Sequence, residues 1–155
     1  MTDNIRQFVE FKLGEEIYGV DILQVKTIER MMPITKVPKA PDFVEGVINL
    51  RGEIVPVIDL KKRFDLPPGE VNDETRIIIV ALEDLTVGMI VDSATEVVKL
   101  SQDSIEPPPS ITLGVDSSFI EGVGKIGENL LIILNLAKVL QPKEVTELDK
   151  QLKEV

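Results

Sequence analysis

One stretch of this chain is written twice. Phe43 to Leu60, FVEGVINLRGEIVPVIDL, lies without a gap on FIEGVGKIGENLLIILNL, 76 positions further on. Phe43, Glu45, Gly46, Val47 and Leu60 meet Phe119, Glu121, Gly122, Val123 and Leu136. Ile54, Val57 and Ile58 meet Leu130, Ile133 and Leu134. Upstream, Tyr18-Gly19-Val20 resembles Val87-Gly88-Met89 at an offset of 69. The difference is a net insertion of seven residues, whose natural home is the Pro-rich loop after Ile105. The chain therefore reads as two copies of one unit of roughly 65 to 75 residues. Each copy would hold about five short strands, which suits a small barrel. Barrels of that size are marginal alone, so the two copies should share a core.

The repeated stretch is itself a β-hairpin. Val47 to Leu50 and Glu53 to Ile58 are apolar, β-branched runs, with Arg51-Gly52 between them as a two-residue turn whose Gly supplies positive φ. Asn49 and Arg51 are its polar exceptions. Asn is disfavoured within a strand, so its hydrogen bonds should be in use. The second copy carries Lys125 and Gly127 at these positions. A polar hairpin tip is often only a solvated end, but loops on rigid scaffolds also carry binding residues.

Alternation places further strands at Gln7 to Leu13, Ile17 to Ile22, Val25 to Glu29, Thr75 to Leu82, Thr86 to Val91 and Ala94 to Leu100. In Val25 to Glu29, the side chains of Val25, Thr27 and Glu29 share a face. Pro33, Pro38 and Pro41 make 31–42 a loop or edge segment, and Pro56 should make its strand an edge or a bulge. Asp59 to Phe64 and Leu136 to Leu140 read as short helical turns. Val145, Leu148, Leu152 and Val155 recur at helical spacing, predicting a C-terminal helix over 142–155 that begins at Pro142. The divisions expected are a first subdomain at about 14–74 and a second at about 75–140, with strand 7–13 free to pair with either.

Composition removes whole classes of function. The 155 residues contain no His and no Cys, which excludes a Ser-His-Asp triad, a His-ligated zinc, a phosphohistidine, a disulfide and a thiolate nucleophile. The net charge of −10 argues against nucleic acid and anionic membrane surfaces. The longest apolar run, Ile77 to Leu82, is too short for a membrane span, and MTDNIRQ lacks the apolar region of a signal peptide. The expected location is the cytoplasm, and no cofactor or metal is expected. Gly122-Val-Gly-Lys-Ile-Gly127 matches G-x-G-x-x-G by letter. A dinucleotide site needs a helix after it, however, and here Glu128-Asn129 leads into the strand-like LLIIL. Gly124-Lys125 lacks the remainder of a phosphate loop, and Asp21, Asp59, Asp92 and Asp116 lack an EF-hand spacing.

YGVDILQV, VPKAPDFVEGVINLRGEIVPVIDL, GMIVDSATEVVKL and the second hairpin together resemble the CheW coupling proteins of bacterial chemotaxis. The resemblance runs from about Phe8 to Leu140 and is most specific in F-x-x-G-V-x-N-L-R-G, Phe43 to Gly52. It implies an all-β fold of two intertwined five-stranded SH3-like barrels. It also implies a non-enzymatic adaptor that joins the cytoplasmic tip of chemoreceptors to the regulatory domain of the histidine kinase CheA, recruited to membrane-bound receptor arrays. The family's receptor-binding positions fall on Val25, Thr27, Gly46, Asn49 and Arg51. Its kinase-binding positions fall on Gly88 and Val97. Family members often carry an acidic residue where Thr27 stands. Gly46 and Gly88 also suit turns or bulges. The alternatives are a CheW-like domain cut from a larger CheA- or CheV-type protein, against which Met1 and the amphipathic tail argue, and a small-ligand-binding barrel.

Overall fold

A computed structural model describes residues 4–108 and 116–140. The helix expected over 142–155 lies outside these residues. In chain order the strands are β1 (Ile5–Leu13), β2 (Glu16–Asp21), β3 (Val25–Arg30), β4 (Val44–Leu50), β5 (Glu53–Asp59), β6 (Arg76–Leu82), β7 (Leu85–Val91), β8 (Ser93–Ser101), β9 (Ile120–Ile126) and β10 (Asn129–Leu134). Helix α1 (Leu60–Arg63) follows β5, and α2 (Leu136–Leu140) follows β10. Asp59 starts α1 as its N-cap, accepting a 2.9 Å bond from the Lys61 N–H.

The strands form two five-stranded sheets, ordered β8-β1-β2-β10-β9 and β3-β6-β7-β5-β4. Each copy gives its first hairpin to one sheet and its last three strands to the other. The first sheet thus joins 5–21 to 93–134, while the second is drawn from 25–91 alone. The barrels do not divide at 74/75 as expected: β2 belongs with β9 and β10, and β6 and β7 belong with β4 and β5. The N-terminal strand pairs with β2 and with β8. The repeat extends to the pairing register. Val57 lies opposite Gly88 in the parallel β5–β7 ladder, as Ile133 lies opposite Gly19 in β10–β2.

Pro56 meets neither expectation, edge or bulge: β5 is an interior strand, and the β4–β5 register shift falls between Val44 and Gly46, opposite Ile58 and Val57. Pro56 pairs with Val47, whose N–H and C=O are spent on Thr35 on the far side of β4. This makes Val47–Pro56 a non-hydrogen-bonded pair, so the missing N–H of Pro56 faces β7. The ladder to β7 begins only at Val57, so no bond is lost.

Three apolar clusters hold the fold. Ile48, Val55, Val57, Ile77 and Ile79 fill one barrel, and Phe8, Leu131 and Ile133 fill the other. The third lies between the barrels, with twenty buried hydrophobic residues among those described, far more than either interior. Neither barrel alone would keep this apolar area from water, at roughly 25 cal/mol per Å².

Arg63 of α1 pins the two copies across this shared core. Its Nε donates to the Val139 carbonyl at 2.7 Å and its Nη2 to the Lys138 carbonyl at 3.4 Å, both in α2. Its guanidinium lies 4.5 Å from the Phe43 ring centre and 4.9 Å from that of Phe119, the same residue in the two copies.

Tyr18, also in the shared core, stacks between Phe11 and Phe64. Burial first, and the Glu16 carboxylate second, push its pKa up to about 12. The folded state thus holds the phenol proton more tightly than the unfolded state, so this contribution to stability is full below pH 10 and lost as pH rises through 12. Two pH units correspond to about 2.7 kcal/mol. Tyr18 is the one Tyr and Trp is absent, so absorbance at the tyrosinate band reads it alone. Its titration midpoint should lie above 11 in the folded protein and near 10 in urea. A folded midpoint near 10 would contradict this assignment.

Candidate functional site

The β4–β5 turn is of the tightest hairpin type. Both central residues have positive φ, +52° at Arg51 and +89° at Gly52. Asn49 Oδ1 accepts a 2.8 Å bond from the Gly52 N–H. The polar atom that stood out in an apolar strand is therefore spent on the turn. Gly127, the repeat mate of Arg51, has φ +59°. One copy thus meets the left-handed position with Gly, at no steric cost, while the other places a long cation there at about 1–2 kcal/mol.

Arg51 reaches from this tip to β3. Its Nη2 lies 3.2 Å from Glu29 Oε1, and its side chain is 74% exposed while that of Glu29 is 17% exposed. The Thr27 hydroxyl donates to the same Oε1 at 3.2 Å. Thr27, Glu29, Asn49 and Arg51 thus form one polar group across β3 and the β4–β5 tip. Glu29 was not among the expected site residues, although its place on the Val25–Thr27 face was visible in the sequence. It supplies, two residues along the same face, the carboxylate that Thr27 lacks. Ile54, 60% exposed, lies opposite Asn49 on β5 and gives this surface an apolar member.

The other expected residues lie elsewhere. Val25, half-buried, packs against the shared core at the start of β3. Gly46 sits at the bulge where the β4–β5 register shifts, with φ +146°. A Cβ there would fall on the Thr35 carbonyl. Gly122 meets Glu106 in the same way in the second copy, with a Cβ 2.8 Å from its oxygen, so this close approach belongs to the fold. Gly88 is buried on β7, where a Cβ would lie 2.8 Å from Ile77 Cγ2. Being buried, it offers a partner little surface of its own. Val97 is 47% exposed on β8, at the edge of the first sheet. Ile28 and Ile54 on the second sheet are the repeat mates of Val97 and Leu130 on the first, and all four are exposed. Among the described residues no group of three or more acidic side chains is arranged to hold a metal ion, and no helix is long and apolar enough to cross a membrane.

The model of the CheW-like domain matches residues 7–144. The chain is 39% identical to the chemotaxis protein CheW of Treponema pallidum over 152 residues, 96% of this chain and 89% of that one. It is 40% identical to that of Bacillus subtilis over 143 residues, 90% and 92% of the two chains. The crystal structure of the scaffolding protein TtCheW from Thermoanaerobacter tengcongensis superposes with a TM-score of 0.80 at 43% identity, covering 88% of this chain and 86% of that one. On the repeat, the two exchanged barrels and these matches, the chain belongs to the CheW-like domain family.

Proposed function

We propose that this protein is a non-enzymatic adaptor of chemotaxis signalling, coupling chemoreceptors to the histidine kinase CheA. Family membership across nearly the whole chain carries the reading. Neither a CheA- or CheV-type fragment nor a small-ligand barrel is favoured as the main role. Its place of action is the cytoplasm, at membrane-bound receptor arrays.

Within this reading, the receptor's helical tip docks at the β3 and β4–β5 surface. Arg51 is the residue best supported as a contact, since it is exposed and held in a backbone conformation that its repeat mate meets with Gly. Its exposed ion pair to Glu29 offsets only part of that strain, which suits a functional constraint. Glu29 holds Arg51 in the free protein, Asn49 holds the turn that presents it, and Thr27 and Val25 flank it on β3. Gly46 acts by shaping β4. For the kinase, Val97 supplies exposed apolar surface at a sheet edge, and Gly88 acts by letting β7 pack closely.

The test is Arg51→Gly. The variant should leave stability unchanged or raise it by up to about 1 kcal/mol, since the left-handed strain is relieved at some cost in unfolded-state entropy. It should weaken binding to a receptor signalling tip at least tenfold, as truncation of an interface anchor does at about 1.4 kcal/mol or more. Affinity for the isolated CheA regulatory domain should be unaltered. Full receptor affinity in a folded Arg51→Gly protein would remove Arg51 from the contact.

A further inference from the structure

A polar cavity of about 530 Å³ opens at the end of the β3–β6 ladder, within the roughly 300–1,000 Å³ usual for small-molecule sites. Arg30 ends β3, Arg76 begins β6, and the two stand directly opposite one another in the register. Side chains of such a pair leave on the same face with Cβ atoms about 5 Å apart, and like charges there are destabilising. Both arginines line the cavity. Alternation turns Arg30 away from the face of Thr27 and Glu29, so the cavity lies apart from the Arg51–Glu29 pair.

The repeat acts as an internal control. At the offset of 69, the mates of Arg30 and Arg76 are Lys99 and Gln7, which also stand directly opposite one another, in β8 and β1. The other copy thus closes this pairing with one cation, so the fold does not require two. The two guanidiniums are held differently. Arg76 Nη1 donates to the Asp73 carbonyl at 2.7 Å and to the Thr75 carbonyl at 2.9 Å, which fixes the side chain and leaves Nε and Nη2 to donate elsewhere. Arg30 is exposed and makes no hydrogen bond or ion pair with any described residue. Asn72 spends its Oδ1 on the Glu74 N–H at 2.8 Å and keeps its NH2 as a further donor. Among the described residues Asp73 is the one acid lining the cavity, so two arginines against one aspartate leave it net positive in a chain of net charge −10. Met31, half-buried, gives it an apolar wall.

We infer that this cavity binds a small molecule through a phosphate group, held between the Arg30 and Arg76 guanidiniums. A doubly charged phosphate removes the repulsion between them and offers three acceptor oxygens to their donors. The body of the molecule rests against Met31.

Two-dimensional NMR of the full chain during titration with phenyl phosphate, at an ionic strength held constant with sodium chloride, tests this directly. Benzoate is the singly charged counterpart with the same ring. Saturable amide shifts are expected at Arg30, Met31 and Asn72 to Arg76. Arg30→Gln, at an exposed position, should stay folded and bind phenyl phosphate about tenfold more weakly or worse, as loss of a charge-assisted hydrogen bond does. Asp73→Asn should bind it about twofold more tightly. Benzoate should bind more weakly than phenyl phosphate. Non-saturating shifts, shifts centred elsewhere, equal affinity in folded Arg30→Gln, no gain in Asp73→Asn, or benzoate binding as well as phenyl phosphate would each overturn the proposal.

Discussion

Gly46→Ala should destabilise the protein by about 3 kcal/mol or more, the top of the range for a strained backbone position combined with a lost local network. Its φ of +146° is open to Gly alone, and the new methyl group would fall on the Thr35 carbonyl and 2.9 Å from Ile34 Cγ2. Relieving that clash pulls Thr35 away from Val47. This breaks the 2.9 Å and 2.8 Å bonds that the two residues exchange and unseats 31–35 from the barrel. Thermal melting should fall by roughly 6–12 °C for a chain of this size. Receptor binding should fall with it, and should recover at low temperature to the extent that the fold does. A variant that melts like the wild type yet fails to bind would make Gly46 a direct contact and reverse this interpretation.

Arg63→Ala should cost about 3 kcal/mol in urea unfolding, since it removes a charged donor from two α2 carbonyls and a cation from between two rings. The carbonyl of Val139 would be left without its 2.7 Å donor, at the end of a helix only five residues long. Arg63→Lys should recover less than half of the loss, because an ammonium cannot donate sideways to α2 and stack on Phe43 and Phe119 together. The double variant Arg63→Ala, Phe119→Leu should be less destabilised than the sum of its parts, by about 0.5–1 kcal/mol. Strict additivity would show that the rings and the cation are not coupled.

Much of the architecture was legible because the repeat carries it. The hairpins, the Arg51-Gly52 turn, the Asp59 to Phe64 helical turn and Leu136 to Leu140 all follow from local pattern, which fixes the face a residue shows. It does not fix the strand next door. Two copies with matching patterns offer the same faces whether each folds on itself or exchanges hairpins, so the boundary expected at 74/75 missed the exchange. Pro56 was misplaced for a related reason. Proline forbids one hydrogen bond on one side of a strand, and only the register shows that this side is not yet paired there.

In the candidate site, Asn49 and Arg51 stood out by breaking an apolar run, and the structure brings them together with Thr27. Glu29 did not stand out, because a glutamate on an alternating strand is ordinary until the opposite tip folds over it. The left-handed backbone of Arg51 was missed although it followed from the turn: a two-residue hairpin loop with Gly second requires positive φ at its first residue as well.

The exchange of hairpins sets an order of assembly during synthesis. Every strand of the second sheet lies within 25–91, so that barrel can close before the last third of the chain has been made. The hairpin made first, β1 and β2, has to wait for β8 and β10, with both of its edges open until then. The second barrel and the shared core offer its apolar side somewhere to rest meanwhile. Chains halted shortly after residue 91 should therefore hold one finished barrel and one orphan hairpin, a state open to completion by the missing strands of another molecule.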